Sequence, residues 1–189
     1  MRVLGIDPGS RFMGYGVVED RRGTLTCVAH GVLRADPADA LELRLSCLFG
    51  ALTAAVSLYR PDAVAVEGLF TFRNARSALV LGHARGVALL VAAQRGLPVH
   101  EYSPAKVKKS VGAGGAAGKD AVARMVKTFL QLAEVERADA SDALAVAICH
   151  LNHGRVGLGR VGPGPRVKAK RSDAFAALAN RLAPAYQRF

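Results

Sequence analysis

The chain opens on a short apolar run, "RVLGI" (2–6), with no polar alternation along it. Such a run, bounded by turn residues, predicts a strand covered on both faces. "MGYGVVE" (13–19) predicts a second strand, close enough to pair with the first as a hairpin. "TLTCVAHGVLR" (24–34) predicts a third, after the turn "DRRG". The period then changes. Asp36 and Pro37 read as the N-cap and first residue of a helix. Leu41, Leu45, Leu48, Leu52 and Val56 carry its apolar stripe to about Tyr59, before Pro61. "AVAVE" (63–67) is a buried strand, 68–75 a loop, 76–95 a long helix, and "PVHEY" (98–102) a fifth strand. A short basic helix follows over 103–111, with Ser103 as its cap and Pro104 at its first position. "GAGGAAG" (112–118) reads as a loop, and 119–132 and 139–151 as the last helices. The hairpin makes the first three strands antiparallel, and helical crossovers make the later ones parallel. The expected fold is α/β, a mixed five-stranded sheet with helices on both faces. In such sheets, sites gather at the carboxyl ends of the parallel strands.

Composition changes this picture in two places. Apolar residues are 51% of the 189, enough for a globular body, which the pattern places over 1–154. The charge is lopsided. Residues 155–189 hold eight Lys or Arg and one acid, Asp173, so they carry +7 of the chain's +11. This stretch lacks periodicity and reads as a basic, flexible tail, with a short helix possible over 173–184. A polyanionic partner is implied, nucleic acid first, with phosphate contacts as the tail's expected contribution. The plainer alternative is a solvated tail that aids solubility. The chain enters its strand pattern at once, so no secretory signal is expected. The longest mainly apolar stretch, 77–93, carries His83 and Arg85 and argues against a membrane span. Cys27, Cys47 and Cys149 show no ligand spacing and read as small core residues in a reducing compartment, the cytoplasm.

Four acids stand out. Asp7 and Glu67 close two buried strands, and Asp139 and Asp142 lie three apart at the start of the last helix, on one side of it. Converging carboxylates repel unless a cation neutralises them. Oxygen donors of this kind suit Mg²⁺ or Mn²⁺, and two such ions about 4 Å apart serve in-line attack on a phosphodiester. Each acid also has a structural explanation. Asp7 before Pro8 and Gly9 is good turn chemistry. Glu67 could be an exposed strand end. Asp139 and Asp142 could be a helix cap and its N3 partner. Those explanations must all hold at once to remove the site.

"GIDPGSRFMGYGVVE", "VEGLFTFRNARSALVLGHARGVAL" and "ADASDALAVAICH" resemble the signature stretches of the RuvC family of Holliday junction resolvases, in order over about 1–153. The resemblance implies a ribonuclease H-like fold and a homodimer. It also implies symmetric cutting of two opposing strands of a four-way DNA junction with Mg²⁺ or Mn²⁺, in recombination and repair. It makes Asp7, Glu67, Asp139 and Asp142 the metal-binding acids, in the all-carboxylate version, since some relatives carry histidine at the position of Asp142. Phe70 matches an aromatic placed against junction bases, and Phe72 is a weaker candidate of the same kind. Lys108 and Lys119 match basic residues near the cleavage site, and Lys119 is counted with the catalytic set. Arg73, Arg76, Lys106 and Lys109 are expected to contact the DNA backbone. Ser10 and Asn74 are expected to order the site loops. The RuvA–RuvB branch-migration complex is the implied wider partner.

Three other readings compete. "GIDPGS…GYG" also looks like the phosphate hairpin of actin-like ATPases and sugar kinases, but these need two domains and a second Gly-rich turn. A non-catalytic junction binder would use the basic residues alone, and bare acids at the site would weaken it. Another ribonuclease H-like nuclease would share the acids. His150, two turns beyond Asp142 on the last helix, reads as packed or exposed rather than as a ligand. His83 reads as a satisfied residue of an apolar helix. The helix over 76–95 is apolar on most of its circumference, which fits either core or a dimer face.

Overall fold

The computed structural model describes residues 1–68, 74–112 and 119–156. Five strands form one sheet: β1 (Arg2–Asp7), β2 (Phe12–Arg21), β3 (Thr24–Arg34), β4 (Ala63–Glu67) and β5 (Val99–Tyr102). Their order is β3-β2-β1-β4-β5. The β3-β2-β1 side is antiparallel, and β4 and β5 are added in parallel. The helices are α1 (Leu41–Tyr59), α2 (Ala75–Gln94), α3 (Pro104–Ser110), α4 (Lys119–Leu130) and α5 (Ala138–Val156). The β2–β3 turn holds Arg22 and Gly23 at φ 52° and 93°, the two-residue hairpin turn whose twist matches the flanking strands.

The central position of β1 explains its unbroken apolar text. Leu4 and Ile6 face one side of the sheet, where Met13, Val17, Val64 and Val66 join Leu48, Leu52 and Val56 of α1 and Ala84, Ala88 and Val91 of α2. Val3 faces the other side, with Val18 and Ala65, against α5 and with Val122, Val126 and Leu130 of α4. Both faces of the strand are therefore dry, which period-two alternation could not have satisfied. By length and composition α1 and α2 are each apolar enough to cross a membrane. Each uses a stripe of its apolar residues to pack on the sheet.

Several local expectations change. The helix after β3 begins at Leu41, not at Pro37, and Ala40 precedes it without a side-chain cap. Asp36 does other work: its Oδ1 accepts from Ala38 N at 2.8 Å and its carbonyl from Asp39 N at 3.1 Å. An aspartate offers the backbone a turn in competition with the helix, and here the turn wins. Ser103 and Pro104 start α3 as expected, with Lys106 N donating to Ser103 Oγ at 3.3 Å. Asn74 caps α2, accepting from the amides of Arg76 and Ser77. His83 is exposed, and so is Cys47; of the cysteines only Cys149 is fully buried. Both exposed residues lie on the outward sides of α1 and α2, whose other sides meet the sheet. Residues 69–73, 113–118 and 157–189, with Phe70, Phe72, Arg73 and most of the basic tail, lie outside the described residues.

His150 is a buried polar residue of α5, 8% exposed. Its ring lies 4.3 Å from that of His100, centroid to centroid, and its Nδ1 is 2.8 Å from the Tyr102 hydroxyl. Burial first, then the charges of His100 and His153, pulls its pKa down from 6.5 to about 4. The native ring is thus held neutral, and the unfolded chain binds more protons between pH 6.5 and about 4. This contribution is whole above pH 6.5 and is lost as the pH falls through that window, a change on the order of 2 kcal/mol. The melting temperature of the wild type should therefore drop more steeply on acidification than that of His150→Gln, whose amide keeps a partner for Tyr102 but does not titrate. Parallel curves would remove His150 from the pH dependence.

Candidate active site

The four acids reach one edge of the sheet by three separate routes. Asp7 is the last residue of β1 and pairs across the hairpin with Gly14. On its other side β4 runs parallel, with Ile6 opposite Val66, so Glu67 takes the next step beside Asp7. The third route is α5. This helix lies directly on β1 and β2 because those strands carry glycine where it crosses. A Cβ on Gly5 would stand 2.0 Å from the carbonyl oxygen of Ala143, and one on Gly14 would stand 2.0 Å from that of Asp139. Gly14 thus touches Asp7 on one side through the sheet and the Asp139 backbone on the other. Asp142 follows one turn later on α5.

The position of α5 also separates the two explanations of its acids. Asp139 lies in the helix's first turn, where an acid suits the dipole. Asp142 is four residues into a helix that begins at Ala138, beyond the positions that a cap satisfies. Capping therefore does not account for Asp142. Together with Glu67 it lines a cleft of about 220 Å³ whose other walls are Pro104, Val107, Lys108 and Val122. Asp7, Glu67, Asp139 and Asp142 are all half-buried.

Asp139 has a partner of its own. Arg137 Nε donates to its Oδ2 at 3.2 Å, and the same guanidinium lies 4.2 Å over the ring of Phe12 on β2. The neighbouring Glu136 accepts from Arg34 of β3 at 2.6 Å, which ties the segment before α5 to the far strand. Among the described residues, no three His, Cys, Asp or Glu side chains are gathered tightly enough to hold an ion as they stand. The edge is brought together at the level of the backbone, with Glu67 and Asp142 sharing a cleft and Asp139 turned to Arg137. Its donor set is all carboxylate, the chemistry that hard divalent cations such as Mg²⁺ or Mn²⁺ prefer.

The predicted basic residues fall in two groups. Lys108 lines the acidic cleft, while Lys106 and Lys109 on the same helix are exposed, and Lys106 Nζ lies 5.1 Å from the centroid of the Tyr102 ring. Lys119 is the first residue of α4. Arg76, in the first turn of α2, lines a different cavity with Ser10, Arg11 and Arg44. Sequence reasoning passed over Gly14, Arg137, Arg11 and Arg44. Only Gly14 left a signal: glycines at 14 and 16 of one strand mark a backbone that something approaches closely.

The profile of the family described as Crossover junction endodeoxyribonuclease RuvC matches residues 3–150. The protein of that description from Myxococcus xanthus is 70% identical over 190 aligned residues, covering 100% of this chain and 98% of that one. The chain belongs to the RuvC family. Among solved structures, Thermus thermophilus RuvC in complex with Holliday junction substrate superposes with a TM-score of 0.76 at 33% identity, covering 83% of this chain and 97% of that one. The yeast mitochondrial Holliday junction resolvase Ydc2, at TM-score 0.56 and 15% identity, covers 79% of this chain and 78% of that one and shares the fold alone. The fold is the ribonuclease H-like α/β sheet of the RuvC family, an endonuclease family of DNA crossovers. That membership removes the ATPase and sugar-kinase reading of the first hairpin.

The close approach at Gly14 makes a direct demand. Gly14→Ala must push the Asp139 end of α5 away from β2, costing about 1–3 kcal/mol as an overpacked core site. A thermal melt should show that loss, and junction cleavage should fall further than the loss of folded protein explains. Gly50→Ala, inside α1 with nothing within 4 Å of the added carbon, is the control: it should keep or raise the melting temperature, by up to about 1 kcal/mol of helix propensity.

Proposed function

We propose that Asp7, Glu67, Asp139 and Asp142 hold Mg²⁺ or Mn²⁺, two ions per site, for symmetric hydrolysis of two opposing strands of a four-way DNA junction. The observation that carries this reading is the route of α5. It crosses the glycines of β1 and β2 and brings Asp139 and Asp142 to the sheet edge where Asp7 and Glu67 end. The set is oxygen-only, drawn from three elements, and one member, Asp142, has no capping role.

Bound there, divalent cations would lower the pKa of the attacking water and stabilise the leaving 3′ oxygen. The chain's own residues do the rest. The four carboxylates would hold the ions, and Arg137 balances the charge of Asp139 in their absence. Lys108 in the cleft and Lys119 at the start of α4 serve as the cations for a non-bridging phosphate oxygen. Lys106, Lys109, Arg73 and Arg76 hold the backbone. Phe70 stacks on a base of the opened junction centre. The basic residues 155–189 add phosphate contacts without specificity. Working on chromosomal junctions beside the RuvA–RuvB motor places the protein in the cytoplasm.

Two cuts in opposing strands call for two sites, and the outer faces of α1 and α2 supply a surface for a second copy. Leu43 and Leu58 of α1 and Leu79 and Leu90 of α2 are 50–71% exposed, an apolar liability on a free monomer. A two-fold pairing would cover it. Sedimentation equilibrium should give a particle of twice the 19.8 kDa chain mass, and Leu79→Glu should shift it toward one copy. A wild type of single-chain mass at all concentrations would remove the dimer.

The deciding experiment compares a labelled four-way junction with linear duplex of the same sequence, in Mg²⁺, in Mn²⁺ and in EDTA. Paired nicks in opposing strands of the junction alone are the expected result. Asp7→Asn should slow them by more than about 100-fold, the loss typical even of a ligand's supporting partner. Tight junction binding without nicks in either metal would leave a non-catalytic binder. Equal cutting of duplex would keep a nuclease of this fold and discard the junction preference.

A further inference from the structure

A second cavity, of about 480 Å³, lies where the β1–β2 turn, the first turn of α1 and the first turn of α2 meet. Ser10 and Arg11 come from the turn, Arg44 from α1, and Arg76 and Ser77 from α2; among the described residues that line it there is no acid. Three arginines around one space repel one another. Arg44 adds a second oddity. Its Nε is buried and finds no hydrogen-bond partner among the described residues. A buried donor without an acceptor is costly, more so on a charged group. The α2 amides are not the attraction, because Asn74 already accepts from those of Arg76 and Ser77. What the cavity offers is guanidinium and hydroxyl groups, the donors that suit a tetrahedral phosphate oxyanion.

Its place is also informative. Ser10 is three residues after Asp7, so at most about 11 Å of chain separates the cavity from the acidic edge. A strand with its scissile phosphate at Asp7 would carry a phosphate about one to three nucleotides away over these arginines.

We infer that Arg44, with Arg11 and Arg76, forms a second phosphate cradle that grips the DNA backbone beside the scissile phosphate. Arg44 is a positioning residue: its guanidinium holds a non-scissile phosphodiester and so fixes which bond meets the acids. The inference rests on the junction-cutting reading above and adds to it a site that the acidic residues do not include.

The test is the salt dependence of junction binding, in EDTA so that nothing is cut. Every phosphate that the protein no longer neutralises lowers the slope of log K against log[salt] by about 0.9. Arg44→Gln removes one such contact from each protomer, so for a dimer on one junction the slope should fall by about 1.8, with roughly tenfold weaker binding at low salt. Arg95→Gln, at the opposite end of α2, should leave the slope alone. Arg11→Gln, on the exposed turn, should repeat the Arg44 result and decides the matter if Arg44→Gln does not fold. An unchanged slope in the folded arginine variants, with wild type still nicking the same junction, overturns the cradle and spares the nuclease reading. A wild type that neither binds nor cuts the junction overturns both. Inorganic phosphate at matched ionic strength is the free-anion arm. If it raises the melting temperature of wild type but not of Arg44→Gln while the slope stays put, the cavity is a free-anion site and the DNA assignment falls.

Discussion

The structure depends on how closely α5 can approach the sheet. Gly5, Gly14 and Gly16 leave no side chain between the strands and the helix; an added Cβ would meet helix atoms 2.0–2.7 Å away at each. The helix answers with its own small residues, Ala140, Ala143 and Ala147, all fully buried. Backbone on backbone packing of this kind leaves little freedom to slide, because a single methyl group has nowhere to go. It seals the Val3 side of the sheet and lets Leu144 and Ile148 fill the core. It also sets where the helix starts over β2. The placement of the acids along that edge is therefore a by-product of core packing.

Charge is organised around that edge in two layers. The acids stand half-buried with Lys108 across the cleft and Arg137 on Asp139. Beyond them the arginine cavity begins. An acidic site on a protein of net charge +11 would repel a phosphate on its own. Surrounded by cations, it can receive one, because the positive field brings the backbone in and the carboxylates act only at short range. The stacking of Arg137 on Phe12 holds that guanidinium beside Asp139 and balances its charge.

Sequence reasoning missed for two physical reasons. At Asp36 the local signal was sound, but the same side chain serves two rival backbone arrangements, and the turn was chosen. At Cys47 the composition around the residue was apolar, which suggested burial; α1 is apolar beyond the stripe that the sheet covers. Where several local signals agreed, at Ser103 before Pro104 or in the hairpin closed by Gly23, the structure followed them. Agreement among independent local preferences is what makes an element legible.

By itself the sequence determined the order and kind of the elements, the buried status of β1 and β4, the four acids at element ends, and the family those stretches belong to. These properties are written into residue types and short-range periodicity, which report how a side chain points from its own element. Only the tertiary structure decided which elements meet. It set Gly14 between Asp7 and Asp139, turned Asp139 toward Arg137, joined Glu67 to Asp142 and Lys108 in one cleft, and gathered Arg11, Arg44 and Arg76 around one cavity. Periodicity carries no information about partners distant in the chain. Those are selected by the close packing of whole faces, and here by the three glycines that let one helix lie flat on two strands.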